Sequence, residues 1–280
     1  MLSKALKQDL RSFLPLWLFL SAIALGSSFL LGGSFHLLDS RFKTAGNIIG
    51  TLGITLCTAI LSAYAIATMV FVGIRFYQNF YTDEGYLTFT LPVRRSTLFF
   101  SKVLSGMIFV FASAMVIFCS VSIAMMLLPS AKEVSFFVAL IHSAWKAFLE
   151  IFHFSKMEFS QICVVLLAIL IFLSLLLFSV LTLYLSITIG SVIAKKMKLF
   201  ASIVTYYIIH AILSFCSSVG QLLFTVLSPA IELLVGSLRS VPWSIWVSLL
   251  LVGVFGFMVM ILSAIYFFTQ RLIEKKLNLP

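Results

Sequence analysis

Charge is what this sequence has least of. Only 10% of its 280 residues are Asp, Glu, Lys or Arg, against roughly 25% in an ordinary soluble domain, and 62% are hydrophobic. A chain so poor in charge cannot cover a water-facing surface. That excludes a soluble globular domain and leaves an all-α polytopic membrane protein. Acids are the scarcer sign, nine against nineteen bases, for a net charge of +10. The bases stand in short clusters at the ends of apolar runs rather than along one face, so they read as topology signals and nucleic acid is not an expected partner.

Other absences narrow the chemistry. No Gly-Lys dipeptide occurs, so a phosphate loop of the Gly-x-x-x-x-Gly-Lys-Ser/Thr type is missing, and energy from ATP would have to come from another chain. No His-Glu-x-x-His zinc motif and no Gly-x-Ser-x-Gly elbow is present, so an enzyme is not expected. Cys57, Cys119, Cys163 and Cys216 each stand alone in an apolar run, and His142 and His153 are eleven apart, off a common helical face. Neither a disulfide framework nor a metal site is expected.

What remains is a succession of apolar runs. Residues 1–12 place Leu2, Ala5, Leu6 and Leu10 on one helical face and Ser3, Lys4, Lys7, Gln8 and Arg11 on the other, an amphipathic helix suited to the membrane interface. The first span follows over 13–33. It exceeds the roughly 7–15 apolar residues of a signal peptide and lacks a clear Ala-x-Ala cleavage site, so it is expected to be retained. A second run, about 44–74, carries Gly46 and Gly50, whose spacing fits either a close helix contact or ordinary small residues. The third span is expected over 98–128, opened by Ser96 or Thr97, and the fourth over 159–194, ended by Lys195, Lys196 and Lys198. Between them, 129–158 forms an extracellular loop in which Lys132, Lys146 and Lys156 balance Glu133, Glu150 and Glu158.

The fifth run, 199–238, is too long for one perpendicular crossing, since forty helical residues reach about 60 Å against a hydrocarbon core of about 30 Å. It must bend or be two spans. Two spans would leave Arg271, Lys275 and Lys276 outside, whereas one span and a re-entrant outer segment over 220–242, around Pro229, returns them to the cytoplasm. The sixth span is then 242–268, with Trp243 and Trp246 at the outer interface. With both termini cytoplasmic, thirteen of the nineteen bases fall inside.

One polar interruption stands out, Tyr81-Thr82-Asp83-Glu84-Gly85-Tyr86-Leu87-Thr88-Phe89-Thr90-Leu91-Pro92-Val93-Arg94-Arg95, because 59–74 before it and 103–128 after it contain no charged residue. Thr82 can cap a short surface helix, Asp83 and Glu84 suit its first turn, and Pro92 ends it. Tyr86, Leu87 and Leu91 would share a face. Taken alone, the stretch also fits a plain topogenic loop whose charges are merely solvated.

Phe76-Tyr77-x-Asn79-Phe80, then Asp83-Glu84-Gly85-Tyr86-Leu87-Thr88-x-Thr90-Leu91-Pro92-Val93, then Lys102 resembles the first cytoplasmic loop of membrane permeases from Gram-positive ATP-binding-cassette (ABC) exporters, of the type V class. The likeness covers about thirty residues closely, and the rest only in topology and length. It implies that 75–102 is a cytoplasmic coupling loop whose helix, carried by Thr82, Asp83, Glu84, Gly85, Tyr86, Leu87, Leu91 and Pro92, inserts into a separate ATPase subunit. It further implies a cognate ABC ATPase holding ATP and Mg, a second permease subunit, identical or not, and a bacterial plasma-membrane location with lipid as surroundings. The N-terminal helix would lie on the inner leaflet and touch the ATPase. Export of hydrophobic or amphipathic peptides is the first substrate expectation, and lipid-linked export the second. A secondary carrier needs ionisable groups near the bilayer midplane, and only His210 lies well inside a span; a binding or immunity protein without ATPase is the third reading.

Overall fold

The computed structural model describes residues 2–38, 43–82, 95–126, 143, 159–194, 197–236 and 243–276. Six long helices account for nearly all of them: α1 Leu2–Leu38, α2 Lys43–Tyr81, α3 Arg95–Met126, α4 Phe159–Ile193, α5 Lys198–Gly236 and α6 Trp243–Lys276. Each contains a stretch long and apolar enough to cross a membrane, Leu6–Ser34, Ile48–Tyr81, Arg95–Ala124, Gln161–Ile193, Lys198–Leu227 and Val247–Glu274 in turn. This is the architecture of a multi-pass membrane protein. Helices are the natural solution because lipid offers no partner for a peptide group, so each segment must close its own backbone bonds. Serine and threonine fit within them by donating back one turn, as Ser21 does to Leu18, Ser62 to Ala59 and Ser174 to Ile171.

The chain divides into two compact units, 1–74 with 100–156, and 75–99 with 157–280. In the first, α1 and α2 run antiparallel. Phe13 meets Phe71 edge-on at 4.8 Å, the Cys57 thiol donates to the Ser27 carbonyl at 3.3 Å, and Gly53 faces Ser34. A Cβ at Gly53 would lie 2.0 Å from the Ser34 hydroxyl oxygen, so this crossing depends on glycine. Of the Gly46–Gly50 pair, Gly50 is buried, and the surroundings of Gly46 lie outside the described residues.

α1 and α3 run parallel. Phe13 stacks on Phe109 at 4.5 Å, Trp17 Nε1 donates to Ser113 Oγ at 2.9 Å, and Ser120 Oγ donates to the Ala24 carbonyl at 3.2 Å. Each of these partners lies 96 positions further along the chain. A constant offset over more than two turns means the helices keep one register.

In the second unit α4 packs against both α5 and α6. Its junction with α5 is tight. Thr205 Oγ1 donates to the Ser186 carbonyl at 2.8 Å, and a Cβ at Gly190 would sit 2.5 Å from the Ser202 backbone. Beyond His210, α5 turns exposed on nearly every side through Leu222.

Several expected boundaries move. No break separates an interfacial segment 1–12 from the first span: α1 is continuous, and Pro15 forfeits only the bond to the Arg11 carbonyl. Over 220–236 the expected re-entrant segment is continuous with α5 through Pro229, while 237–242 lies outside the described residues. At 39 residues α5 is about 58 Å long by the usual rise. The loop expected over 75–102 is helical at both ends, 75–81 closing α2 and 95–102 opening α3. The expected outer loop 129–158 lies outside the described residues apart from Ser143.

Candidate functional site

The interruption between α2 and α3 begins and ends on aromatic anchors. Phe76 and Phe80, one helical turn apart, put both rings on one face of α2 with centroids 4.9 Å apart. Phe76 lies flat on Tyr184 of α4, 3.9 Å away and 11° from parallel. At the start of α3, Phe99 reaches Phe76 at 6.2 Å and Tyr266 of α6 at 5.2 Å. Phe76, Phe80 and Phe99 are each at most 1% exposed. The last turn of α2, the first turn of α3, α4 and α6 thus share one aromatic block.

Packing is what holds this block. Lipid tails are as apolar as the side chains, so the hydrophobic effect contributes little between helices, and dispersion contacts carry the association. An aromatic pair in such geometry contributes about 0.5–1.5 kcal/mol beyond area burial. Polar contacts close the rim. Asn79 Nδ2 donates to the Arg75 carbonyl at 2.9 Å, the Thr82 hydroxyl donates to the Gln78 carbonyl at 2.5 Å, and Arg95 Nη1 reaches the Glu274 carbonyl at 3.4 Å. Thr82, expected to open the next helix, therefore satisfies a terminal carbonyl of α2. Asp83, Glu84, Gly85, Tyr86, Leu87, Leu91 and Pro92 lie outside the described residues.

A second constellation was not expected. Lys102, assigned from the sequence to the cytoplasmic loop, sits inside α3 and is only 8% exposed; its ammonium meets Asp9 Oδ1 of α1 at 2.5 Å. Asp9 is 7% exposed, and its Oδ2 is buried without a hydrogen-bond partner. The helix contacts are accordingly not free of charge: α1 and α3 hold an oppositely charged pair near their first turns. A helical wheel carries the signal, for Asp9 continues the face of Phe13, Trp17 and Ala24, and Lys102 that of Phe109, Ser113 and Ser120. The linear sequence hides Asp9 between Lys7 and Arg11.

Two further polar groups lie deep in the spans. The Tyr64 hydroxyl is buried beside Trp17 and Ser113 without meeting hydrogen-bond geometry, and His210 Nε2 is buried without a partner, its ring 4.3 Å from Tyr206. All four cysteines are free, and among the described residues no group of three His, Cys, Asp or Glu side chains is placed to hold a metal. No protein-family model, curated protein or solved structure matches the chain.

Proposed function

We propose that this chain is the membrane-spanning subunit of an ATP-driven exporter of the type V ABC class, which moves a hydrophobic or amphipathic substrate, first of all a peptide, outward across the bacterial plasma membrane. The observation that carries the reading is the pairing of the 81–95 motif with its anchorage, since both ends of that interruption are bound into one buried aromatic block with Tyr184 and Tyr266. A loop rooted in this way transmits force. Pressure on a loosely tethered hairpin would bend the hairpin, whereas pressure on 83–94 moves the ends of α2 and α3 together with the helices stacked on them.

In this mechanism a separate ATPase binds ATP and Mg, and the chain works beside a second permease subunit with both termini in the cytoplasm. Asp83 and Glu84 meet basic groups of the ATPase, and Tyr86, Leu87 and Leu91 fill its groove. Closure of the ATPases tilts α2 and α3 and opens the seam between permeases. A secondary carrier is the second reading, supported by the buried, unpartnered Nε2 of His210.

Purification of the tagged protein from its native membrane, with mass spectrometry of what accompanies it, separates the two. An ATPase with a phosphate loop should co-purify in stoichiometric amount and be lost on Glu84→Arg or Leu87→Glu. If those variants keep the ATPase and transport at wild-type levels, the coupling assignment fails. If the wild type brings no ATPase in a detergent that preserves other complexes, the carrier reading replaces it.

A further inference from the structure

The first turns of α1 alternate in charge along the sequence, Lys7, Asp9, Arg11, and the fold sorts these charges by sign. With about 100° between successive helical residues, Lys7 and Arg11 stand about 40° apart on one face and Asp9 points almost the opposite way. Asp9 is buried and engaged by Lys102, whereas Lys7 and Arg11 are exposed. Among the described residues neither base makes an ion pair or a side-chain hydrogen bond. The acid that would have neutralised this turn is spent inside the bundle, so its outer face is purely positive.

Depth is set by the residues that follow. Leu14, Leu18, Phe19, Phe29 and Leu30 are 49–66% exposed on α1, an apolar surface for acyl chains. From Leu14 to Ser34 the helix rises about 30 Å, the thickness of the hydrocarbon core. Arg11 then lies about 5 Å and Lys7 about 10 Å beyond its edge, at the level of lipid phosphates. Because α1 continues unbroken through the 12/13 boundary, these bases stand on the same helix as the crossing segment and not on a separate one.

We infer that Lys7 and Arg11 form a binding site for an anionic phospholipid, whose phosphate they hold while an acyl chain lies along Leu14 and Leu18. The guanidinium offers a planar fork for phosphate oxygens and the lysine a mobile point charge. Zwitterionic lipids bring the same phosphate with its charge already cancelled, so the site should select the net charge of the headgroup. This inference is independent of the exporter reading, since it needs neither an ATPase nor transport.

Native mass spectrometry of the detergent-purified full-length protein tests it, with phosphatidylglycerol and phosphatidylcholine supplied at equal concentration. At about fivefold per base near an anionic surface, the wild type should retain phosphatidylglycerol about 25-fold better. Lys7→Gln with Arg11→Gln should abolish the preference, while Lys7→Arg with Arg11→Lys should keep it. Raising salt from 0.1 to 1 M, which shortens the screening length from about 10 to about 3 Å, should erode it in the wild type. Equal retention of the two lipids by the wild type, or an undiminished preference in the double Gln variant, overturns the site; so would a preference indifferent to salt, a measurement that needs no variant at all.

Discussion

Replacing Asp9 by Asn leaves the shape of α1 almost unchanged and removes one charge from a buried pair. Lys102 would keep an ammonium group in a site where the residue is 8% exposed and lose the carboxylate 2.5 Å away. Breaking such a pair from one side costs up to about 3–5 kcal/mol, because the remaining buried charge loses its carboxylate. The Asn carbonyl can still accept from the ammonium, and a hydrogen bond to a charged group is worth about 1.5–3 kcal/mol. The net loss is thus about 2 kcal/mol for Asp9→Asn and about 3–5 kcal/mol for Asp9→Ala. Near a helix end the lysine stem can also snorkel outward, which makes these upper values. Asp9→Leu with Lys102→Met removes both charges and should be close to neutral, as buried pairs replaced by apolar groups often are. The assay is thermal unfolding of the detergent-purified protein, followed by near-ultraviolet circular dichroism, where about 2 kcal/mol corresponds to roughly 4–8 °C. A double variant no more stable than Asp9→Ala, or an Asp9→Asn midpoint equal to wild type, would show that the pair does not hold α1 to α3.

Two glycine contacts should answer differently to repair. Gly190→Ala meets the Ser202 backbone at 2.5 Å, so it should cost about 1–3 kcal/mol and resist rescue by Ser202→Gly. Gly53→Ala meets the Ser34 side chain, at 2.0 Å from its oxygen, and Ser34→Gly should restore much of the loss in the same unfolding assay. Phe76→Ala opens the aromatic block and should destabilise by about 3–5 kcal/mol, whereas Phe19→Ala, 66% exposed, should stay within about 0.5 kcal/mol; equal losses would refute the role given to the block. The same Phe76 variant should weaken ATPase retention less than Leu87→Glu does if the block transmits force and the loop makes the contact, a comparison read by quantifying the co-purified ATPase.

Membrane helices announce themselves through apolar length, and here that length located all six. Their ends were harder to read, because hydropathy reports where lipid stops and the helix continues beyond it. The sixth span is expected over 242–268, and its helix continues to Lys276, with Gln270 Nε2 donating to Glu274 Oε1 one turn on at 3.0 Å. Pro229 argued for a fold-back, yet a single missing donor did not interrupt α5. Of the expected coupling residues only Thr82 is described, while its aromatic neighbours proved to be anchors, a role that depends on Tyr184 and Tyr266, about 100 and 180 positions away. Pairing at such separations has no local signature. Asp9 has no mark in the linear order of charges, because its burial depends on the helical face it occupies.

The separation of Asp9 from Lys102 also has a consequence for biosynthesis. The two lie 93 residues apart, and α2 must cross the membrane between them. At about 5–20 residues per second, Asp9 waits about 5–20 s for its partner to be made. During that interval an unpaired carboxylate is best tolerated where water reaches it, and Asp9 stands near the first residues of α1 and not in its middle. The latch is therefore placed at the depth where an unfinished chain can hold its first half, and it closes only when the third helix arrives.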